Sequence, residues 1–173
     1  MSSPAQNRFN RLYDELWSDL RGYLRRRCTT DADADDLLAE TFTIVWRRIA
    51  DVPAGHDSRP WIFGIARNLI REYYRGRDRR RQITDRLLSE LVTRPAAESG
   101  PRKELDDLAV TIQALGLLNE ADRELIQLVA WEGLSHADCG VILQCSTNAV
   151  GIRLHRARAR LQEKIGEMTG EST

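Results

Sequence analysis

The chain has 173 residues, 42% of them hydrophobic, and its 26 basic and 26 acidic residues leave a formal net charge of zero. This length suffices for one domain or two small ones with modest cores. No apolar run approaches the roughly 18 residues that a membrane-spanning helix needs, and the N-terminus lacks the apolar core of a signal peptide. We therefore expect a soluble cytoplasmic protein with no membrane insertion.

The charges are segregated along the chain. Residues 59–81 contain eight arginines against Glu72 and Asp78, a net charge of +6, and residues 147–164 carry +4. The remainder therefore carries −10. Two basic segments on an acidic body favour two separate contacts with a polyanion, and they leave acidic surface for a basic partner.

The three cysteines are too few, and odd in number, for a secreted disulfide framework. His136, Cys139 and Cys145 offer three ligands for a zinc site. We favour the alternative that both cysteines are small buried side chains, because they fall where a helix and the turn after it should pack. We predict no metal and no other cofactor. The sequence leaves open whether Cys28, Cys139 or Cys145 has a redox role.

Helical spacing of apolar residues recurs along the chain without strand-like alternation, which predicts an all-α fold. The first helix is predicted over residues 7–27, the second begins near Asp33, and the third begins around Pro60. The residues that the third helix is expected to bury are Trp61, Ile62, Ile65, Ala66, Leu69, Ile70 and Tyr73. Three of the four tryptophans fall in this helical bundle, and the fourth, Trp131, indicates a second core.

Residues 82–92 are compatible with a short helix, and residues 93–104 have the Pro, Gly, Ser and charge content of a linker. We predict two small helical domains, at 1–81 and 104–173, joined by a flexible linker at 82–103. In the second domain Asn119 is predicted to cap a helix that stops at Gly133. Ser135 then starts a short helix, and a tight break at residues 144–146 precedes a basic helix. This is the arrangement of a helix-turn-helix, whose second helix enters the major groove of DNA.

The distribution of residues around that basic helix distinguishes a helix that binds DNA from one whose charges are only solvated. A buried stripe is predicted at Val150, Leu154, Ala157 and Leu161. Opposite it lie Asn148, Ile152, His155 and Ala159, with Arg156 alongside and Arg153, Arg158 and Arg160 toward the flanks. Short or neutral residues in the centre suit contact with base edges, and arginines at the margins suit phosphates.

The other basic segment adds aromatic residues to arginines. Tyr73 and Tyr74 could stack bases while neighbouring guanidinium groups hold the backbone of a single strand. In the alternative interpretation Tyr73 belongs to the core and the arginines form a solvated helix end. An acidic segment precedes it, in which Asp36 and Glu40 stand four residues apart on one helix with like charge. A basic partner surface would relieve their repulsion.

Three segments, "DADDLLAETFTIVW", "PWIFGIARNLIREYYRGRDRRR" and "LNEADRELIQLVAWEGLSHADCGVILQCSTNAVGIRLHRARARL", resemble in order regions 2.2, 2.3 to 2.4, and 4 of bacterial sigma factors of the extracytoplasmic-function group. The resemblance implies a promoter-specificity subunit that binds core RNA polymerase, through the beta-prime coiled coil and the beta subunit, and promoter DNA as duplex and single strand. It also implies an anti-sigma protein as a candidate partner. The implied mechanism is binding without bond chemistry.

The resemblance matches Asp36 and Glu40 to the family's docking positions and Arg67, Asn68, Arg71 and Arg75 to its minus-ten positions. Together with the charge pattern and the helix faces, it gives the following candidate site residues. For polymerase docking these are Asp35, Asp36 and Glu40. For the minus-ten element they are Arg67, Asn68, Arg71, Tyr74, Arg75 and Arg77. For the minus-thirty-five element they are Asn148, Ile152, Arg153, His155, Arg156 and Arg160. The chain departs from the family at Ala39, where Gln is frequent, at Glu72, where Asp is common, and at Gly151 and Ile152, where Arg and a small polar residue are common.

Two other functions compete with this interpretation. A helix-turn-helix regulator that binds duplex DNA without polymerase explains the C-terminal half but leaves the acidic and aromatic-arginine segments without a role. A helical protein-interaction module, with arginines that only solvate it, predicts no salt-dependent binding of nucleic acid. An enzyme is least favoured, because His56, His136 and His155 do not pair with a nucleophile or a carboxylate.

Overall fold

Helices make up most of the residues that the structure, a computed structural model, describes, namely 3–75 and 102–170. They are α1 (Pro4–Arg25), α2 (Asp31–Arg47), α3 (Ser58–Tyr73), α4 (Arg102–Leu117), α5 (Glu120–Ala130), α6 (His136–Leu143) and α7 (Thr147–Thr169), with a 3-10 turn at Gly55–Asp57. These two ranges contain no strand, so the all-α prediction is confirmed. The predicted helix at 82–92 and most of the predicted linker lie outside the described residues. None of the described helices is long and apolar enough to cross a membrane.

The first three helices each begin two or three residues earlier than the apolar pattern predicts, and in α1 and α2 a capping side chain precedes that pattern. The Ser3 hydroxyl accepts a hydrogen bond from the Gln6 amide at 3.2 Å, with Pro4 in the first turn. Thr30 accepts from the Asp33 amide at 3.1 Å, so α2 begins at Asp31. Each side chain satisfies an amide that the first helical turn leaves without a partner.

Helices α1, α2 and α3 pack around a shared core in which Leu20, Tyr23 and Phe63 are fully buried. The rings of Tyr23 and Phe63 meet edge to face, with centroids 5.2 Å apart. The expectation that Tyr73 is buried is wrong, since Tyr73 is 47% exposed and Tyr74 is 4% exposed. The helix ends at Tyr73, and the turn that follows directs Tyr74 inward.

The C-terminal helices form the predicted helix-turn-helix. Asn119 caps α5 by accepting from the Asp122 amide at 2.9 Å. Ser135 and Asp138 form a reciprocal capping box at the start of α6. Gln144 ends α6 in the left-handed conformation, with φ of 55°, and Ser146 caps α7. All three predicted capping or break positions are therefore confirmed.

The two halves of the chain share one buried cluster, in contrast to the two separate cores that the tryptophan distribution predicted. Helix α3 of the first half packs against α6 of the second. Trp131 lies partly buried against the same cluster as Trp61. Sequence periodicity reports which face of a helix is apolar, but it cannot report that α3 is covered on two sides by different parts of the chain.

Candidate nucleic-acid and polymerase interfaces

Helix α7 presents the face that its sequence predicts. Val150, Leu154 and Ala157 are buried against α4, α5 and α6. On the opposite side Asn148, His155 and Arg156 are exposed, and Ile152 has 47% of its surface in solvent. A large apolar side chain open to solvent between polar neighbours suits contact with a thymine methyl group in the major groove.

The turn before α7 depends on a close backbone approach that the sequence analysis missed. A Cβ atom added at Gly140 would lie 2.8 Å from the carbonyl oxygen of Cys145. Only glycine therefore allows α6 and the start of α7 to come this near. The one sequence signal is a glycine inside a predicted helix.

The two cysteines near this turn belong to the packing of the domain. Cys139 is fully buried, and burial raises the pKa of its thiol to about 11. Cys145 is partly exposed, and its sulfur accepts a hydrogen bond from Arg153 at 3.8 Å. The described residues contain no cluster of metal-ligating groups.

Two of the arginines predicted to bind the minus-thirty-five element are held at the margins of α7. Arg160 forms an ion pair with Asp122 of α5, while half of its side chain stays exposed. Arg153 lies partly buried beside the turn. These contacts leave Arg156 as the exposed arginine beside the centre of the face.

The structure exposes some of the residues predicted to bind the minus-ten element and buries others. Asn68, Arg71 and Arg75 are exposed on or just after α3. Tyr74 is buried, its hydroxyl accepts from the Thr29 amide at 2.7 Å, and burial raises its pKa. Tyr73, rather than Tyr74, has its ring available at the surface, where its hydroxyl donates to Asp33 at 2.7 Å. Arg77 lies outside the described residues.

Among the predicted strand-contacting arginines that the structure describes, Arg67 is paired with a residue from the second half of the chain. Its Nε and one terminal nitrogen donate to the two carboxylate oxygens of Glu124 at 2.8 and 3.0 Å. Only 16% of the Arg67 side chain is exposed. Burial lowers the pKa of Arg67, but the hydrogen bond and charge of Glu124 outweigh it, so the net pKa is raised.

A second set of contacts between the two halves centres on Glu132, which the sequence analysis did not single out. Its carboxylate accepts from Arg26 at 2.5 Å and from Arg27 at 3.0 Å. Its backbone carbonyl accepts from Arg59 at 2.9 Å. Since these partners lie more than seventy residues away in sequence, no local pattern indicates them.

The acidic face of α2 is open. Asp36 and Glu40 are exposed and form no ion pair with another described residue. Asp35 accepts from Arg21 of α1 at 2.9 Å. Beside this face α1 and α2 form an aromatic groove, which the sequence analysis also missed. Its aromatic members are Phe9, Tyr13, Trp17, Phe42 and Trp46.

The loop between α2 and α3 is anchored by one side chain. Arg8 donates to the carbonyl oxygens of Ile49 and Pro53 at 3.0 and 3.1 Å, and also to that of Val52. The loop lines a cleft that continues to Gly133, just before α6 of the helix-turn-helix. No residue pattern in this loop predicted the anchoring, because the acceptors are backbone atoms.

Comparison with known proteins places both halves in one family. Residues 12–80 match Sigma-70 region 2, and residues 109–161 match Sigma-70 region 4. The chain is 35% identical over 137 residues to RNA polymerase sigma factor NccH of Alcaligenes xylosoxydans xylosoxydans, covering 76% of this chain and 72% of the relative. It is 30% identical over 128 residues to ECF RNA polymerase sigma factor EcfG of Rhodopseudomonas palustris, covering 74% and 68%.

Among solved structures, the chain resembles the sigma factor RpoE of Bartonella quintana, crystallised with the anti-sigma factor NepR. The TM-score is 0.63 at 28% identity, covering 91% of this chain and 96% of the other. The family matches and the structural similarity thus agree with the order of the three sequence motifs. The chain belongs to the sigma-70 family, in its extracytoplasmic-function group, and is a sigma factor that directs RNA polymerase to promoters for the initiation of transcription.

Proposed function

We propose that the two DNA contacts of this sigma factor are divided between α7, which binds the duplex minus-thirty-five element, and α3, which binds the melted minus-ten element. In this division residues 1–81 form the polymerase-docking and melting domain, 82–103 the linker, and 104–173 the duplex-binding domain. The protein acts in the cytoplasm by binding alone, without catalysing a reaction.

The exposed face of α7 supports the first assignment. Asn148, Ile152, His155 and Arg156 form its exposed centre, and Arg153 and Arg160 lie beside it. Because Arg153 and Arg160 are held by Cys145 and Asp122, we assign them to positioning against the phosphates. Arg156 carries the assignment, since a guanidinium group can donate two hydrogen bonds to one guanine.

The surface of α3 supports the second assignment. Asn68, Arg71 and Arg75 offer an amide and two guanidinium groups along one exposed strip. In this proposal Tyr73 provides the stacking surface, and Tyr74 supports the end of the helix from inside. A base extruded from the duplex costs a few kcal/mol, which stacking and phosphate contacts can offset. Arg67 joins this strip only when Glu124 releases it.

The acidic face of α2 supports docking to core polymerase. Asp36 and Glu40 are exposed, and their like charges favour a basic partner surface such as the beta-prime coiled coil. The beta subunit is the second polymerase contact that the family implies. Since RpoE of Bartonella quintana is bound by the anti-sigma factor NepR, we also propose that this chain is sequestered by an anti-sigma protein.

Arg156→Ala tests the division of labour in transcription with core polymerase. On duplex promoters the variant should lose about tenfold or more, as expected from the 1–3 kcal/mol of a good base contact. On templates already melted at the minus-ten element the loss should be much smaller. The control is Arg158→Ala, which removes an exposed arginine from the same helix. Equal losses of Arg156→Ala on both templates would contradict the proposal.

A further inference from the structure

Both tyrosines at the end of α3 are held by residues at or just before the start of α2. The hydroxyl of Tyr73 donates a hydrogen bond to a carboxylate oxygen of Asp33 at 2.7 Å. The hydroxyl of Tyr74 accepts one from the amide of Thr29, also at 2.7 Å. Asp33 lies in the first turn of α2, and Thr29 lies in the turn that joins α1 to α2. The C-terminal end of α3 is therefore tied to the N-terminal end of α2.

Tyr73 stands at a position that a helix by itself does not hold firmly. It is the last residue of α3, and Tyr74 is the C-cap. The last four carbonyl groups of a helix have no partner within it, and helix ends fray. A side chain at such an end keeps one orientation only where contacts with other elements hold it.

Two contacts hold the Tyr73 ring without covering it. The ring meets that of Tyr74 at 78°, with centroids 4.8 Å apart. Tyr74 is only 4% exposed, so it is a fixed neighbour. Asp33 holds the far end of the Tyr73 ring through the hydroxyl. Tyr73 is nevertheless 47% exposed, which leaves aromatic surface for a base to stack on.

Asp33 has a defined position from which to hold that hydroxyl. Its own amide donates to the side chain of Thr30, the N-cap of α2, at 3.1 Å. A carboxylate in the first turn of a helix is stabilised by the helix dipole. The start of α2 thus places a charged acceptor at a fixed point beside Tyr73.

We infer that Asp33 is a positioning residue for strand binding, which holds the Tyr73 ring in the orientation that stacks on a base of the melted minus-ten element. This inference rests on the proposed function of α3, in which Tyr73 provides the stacking surface. Asp33 acts through Tyr73 and does not contact the DNA. Its contribution is that the ring is ordered before the strand arrives.

Ordering the ring in advance increases the affinity for the strand. A side chain that becomes fixed only on binding costs roughly two- to tenfold in affinity. Tyr73 held by Asp33 has lost that freedom beforehand. Removal of the hydrogen bond should therefore weaken strand binding by about threefold to tenfold. Removal of the ring also removes the stacking, and it should cost about tenfold or more.

The charge of Asp33 opposes this effect, because a carboxylate repels the phosphates of a nearby strand. The experiment must therefore separate the acceptor from the charge. Asp33→Ala and Asp33→Asn both remove the charge, but only Asn keeps an oxygen that can accept from Tyr73. The difference between these two variants isolates the hydrogen bond.

The test uses purified holoenzyme, assembled from core polymerase and the full chain. The probe is a single-stranded DNA oligonucleotide with the minus-ten sequence that wild-type holoenzyme selects from a random library, with 2-aminopurine placed at successive positions. Asp33→Ala should bind it about threefold to tenfold more weakly than Asp33→Asn. Tyr73→Phe keeps both the ring and the Asp33 charge, and it should lose as much relative to wild type. Within Tyr73→Phe, the two Asp33 variants should bind alike, because no hydroxyl remains to be held.

The fluorescence of 2-aminopurine reports the stacking itself, which a merely structural role of Asp33 would not change. Stacking on an aromatic ring quenches this base. At one position the saturated wild-type and Asp33→Asn complexes should be dim, and the Asp33→Ala complex should be brighter. The matched control is Asp31→Ala, which removes the same charge from the same turn of α2. It should lose no affinity and leave the fluorescence unchanged.

Equal affinity and equal fluorescence of Asp33→Ala and Asp33→Asn would overturn the inference. So would wild-type binding by Tyr73→Phe, or a control that loses as much affinity as Asp33→Ala. The proposed function can fail separately, since Tyr73→Ala with wild-type affinity for the oligonucleotide would refute stacking on α3. A large loss in Tyr73→Ala, without any difference between the two Asp33 variants, would refute only the role of Asp33.

Discussion

The basic surfaces of α3 and α7 have similar composition but different surroundings. On α7 the arginines flank an open centre, and the contacts of Arg153 and Arg160 come from within their own half of the chain. On α3 Arg67, which lies next to the exposed strip of Asn68, Arg71 and Arg75, is paired with Glu124 from the other half of the chain. A basic segment in a sequence therefore does not reveal whether its charges are available. Whether those charges are available depends on the side chains that the fold places beside them.

The largest expected effect is on the step that precedes both DNA contacts. Asp36→Arg with Glu40→Arg should abolish association with core polymerase, because it reverses the charge of the exposed face of α2. Minus-thirty-five duplex binding by α7 should be unchanged. Co-purification with core polymerase measures the loss. Asp14→Arg with Glu15→Arg, which reverses two exposed acids of α1, serves as control, and wild-type association by the α2 variant would contradict the docking site.

The next effect concerns the backbone packing between α6 and the turn that precedes α7. Gly140→Ala places a Cβ atom 2.8 Å from the Cys145 carbonyl, and the forced shift should lower the free energy of unfolding by about 1–3 kcal/mol. Duplex binding by α7 should fall, because the turn that aims α7 is displaced. Chemical denaturation and a duplex titration measure the two effects. Full stability of the variant would show that the close approach is not required.

The neighbouring substitution in α7 should have the opposite sign. Gly151→Ala adds a Cβ atom 3.9 Å from Nδ1 of His136, an ordinary contact. Replacing glycine by alanine inside a helix stabilises it by about 1 kcal/mol. The same denaturation experiment should therefore show a gain. A loss of stability would mean that α7 needs the flexibility of Gly151.

The smallest effect concerns the thiols. Burial raises the pKa of Cys139 from 9.0 to about 11, so the stability contributed by its neutral thiol is complete below pH 9 and is lost as the pH rises toward 11. At pH 8 an alkylating reagent should modify the partly exposed Cys145 well before the buried Cys139 and Cys28. Mass spectrometry of a time course measures this order, and rapid modification of Cys139 would contradict its burial.

Local features of the molecule could be predicted from sequence, because their causes are local. The caps at Asn119 and Ser135, the break at residues 144–146 and the buried stripe of α7 each depend on residues within one or two helical turns. The burial of Tyr73 and Tyr74 was harder to predict, because the position at which α3 ends determines which of the two rings is buried. The helical period alone does not fix that end.

Contacts between distant parts of the chain could not be predicted. Glu132 and its arginine partners, and the ion pair of Arg67 with Glu124, join positions that share no periodicity. The division into two domains follows from composition, but their packing depends on side-chain charges that look like ordinary surface residues in the sequence. The sequence therefore predicted both DNA-binding surfaces, but it did not predict that the second half of the chain packs over Arg67 on α3.

Transcription with core polymerase on a library of promoter sequences tests the division of labour most directly. Wild-type protein should select two sequence blocks at a fixed spacing. Arg156→Ala should relax the preference in the upstream block alone, and Asn68→Ala should relax it in the downstream block alone. Selection of a single block, or relaxation of both blocks by either variant, would contradict the assignment of duplex and strand to separate helices.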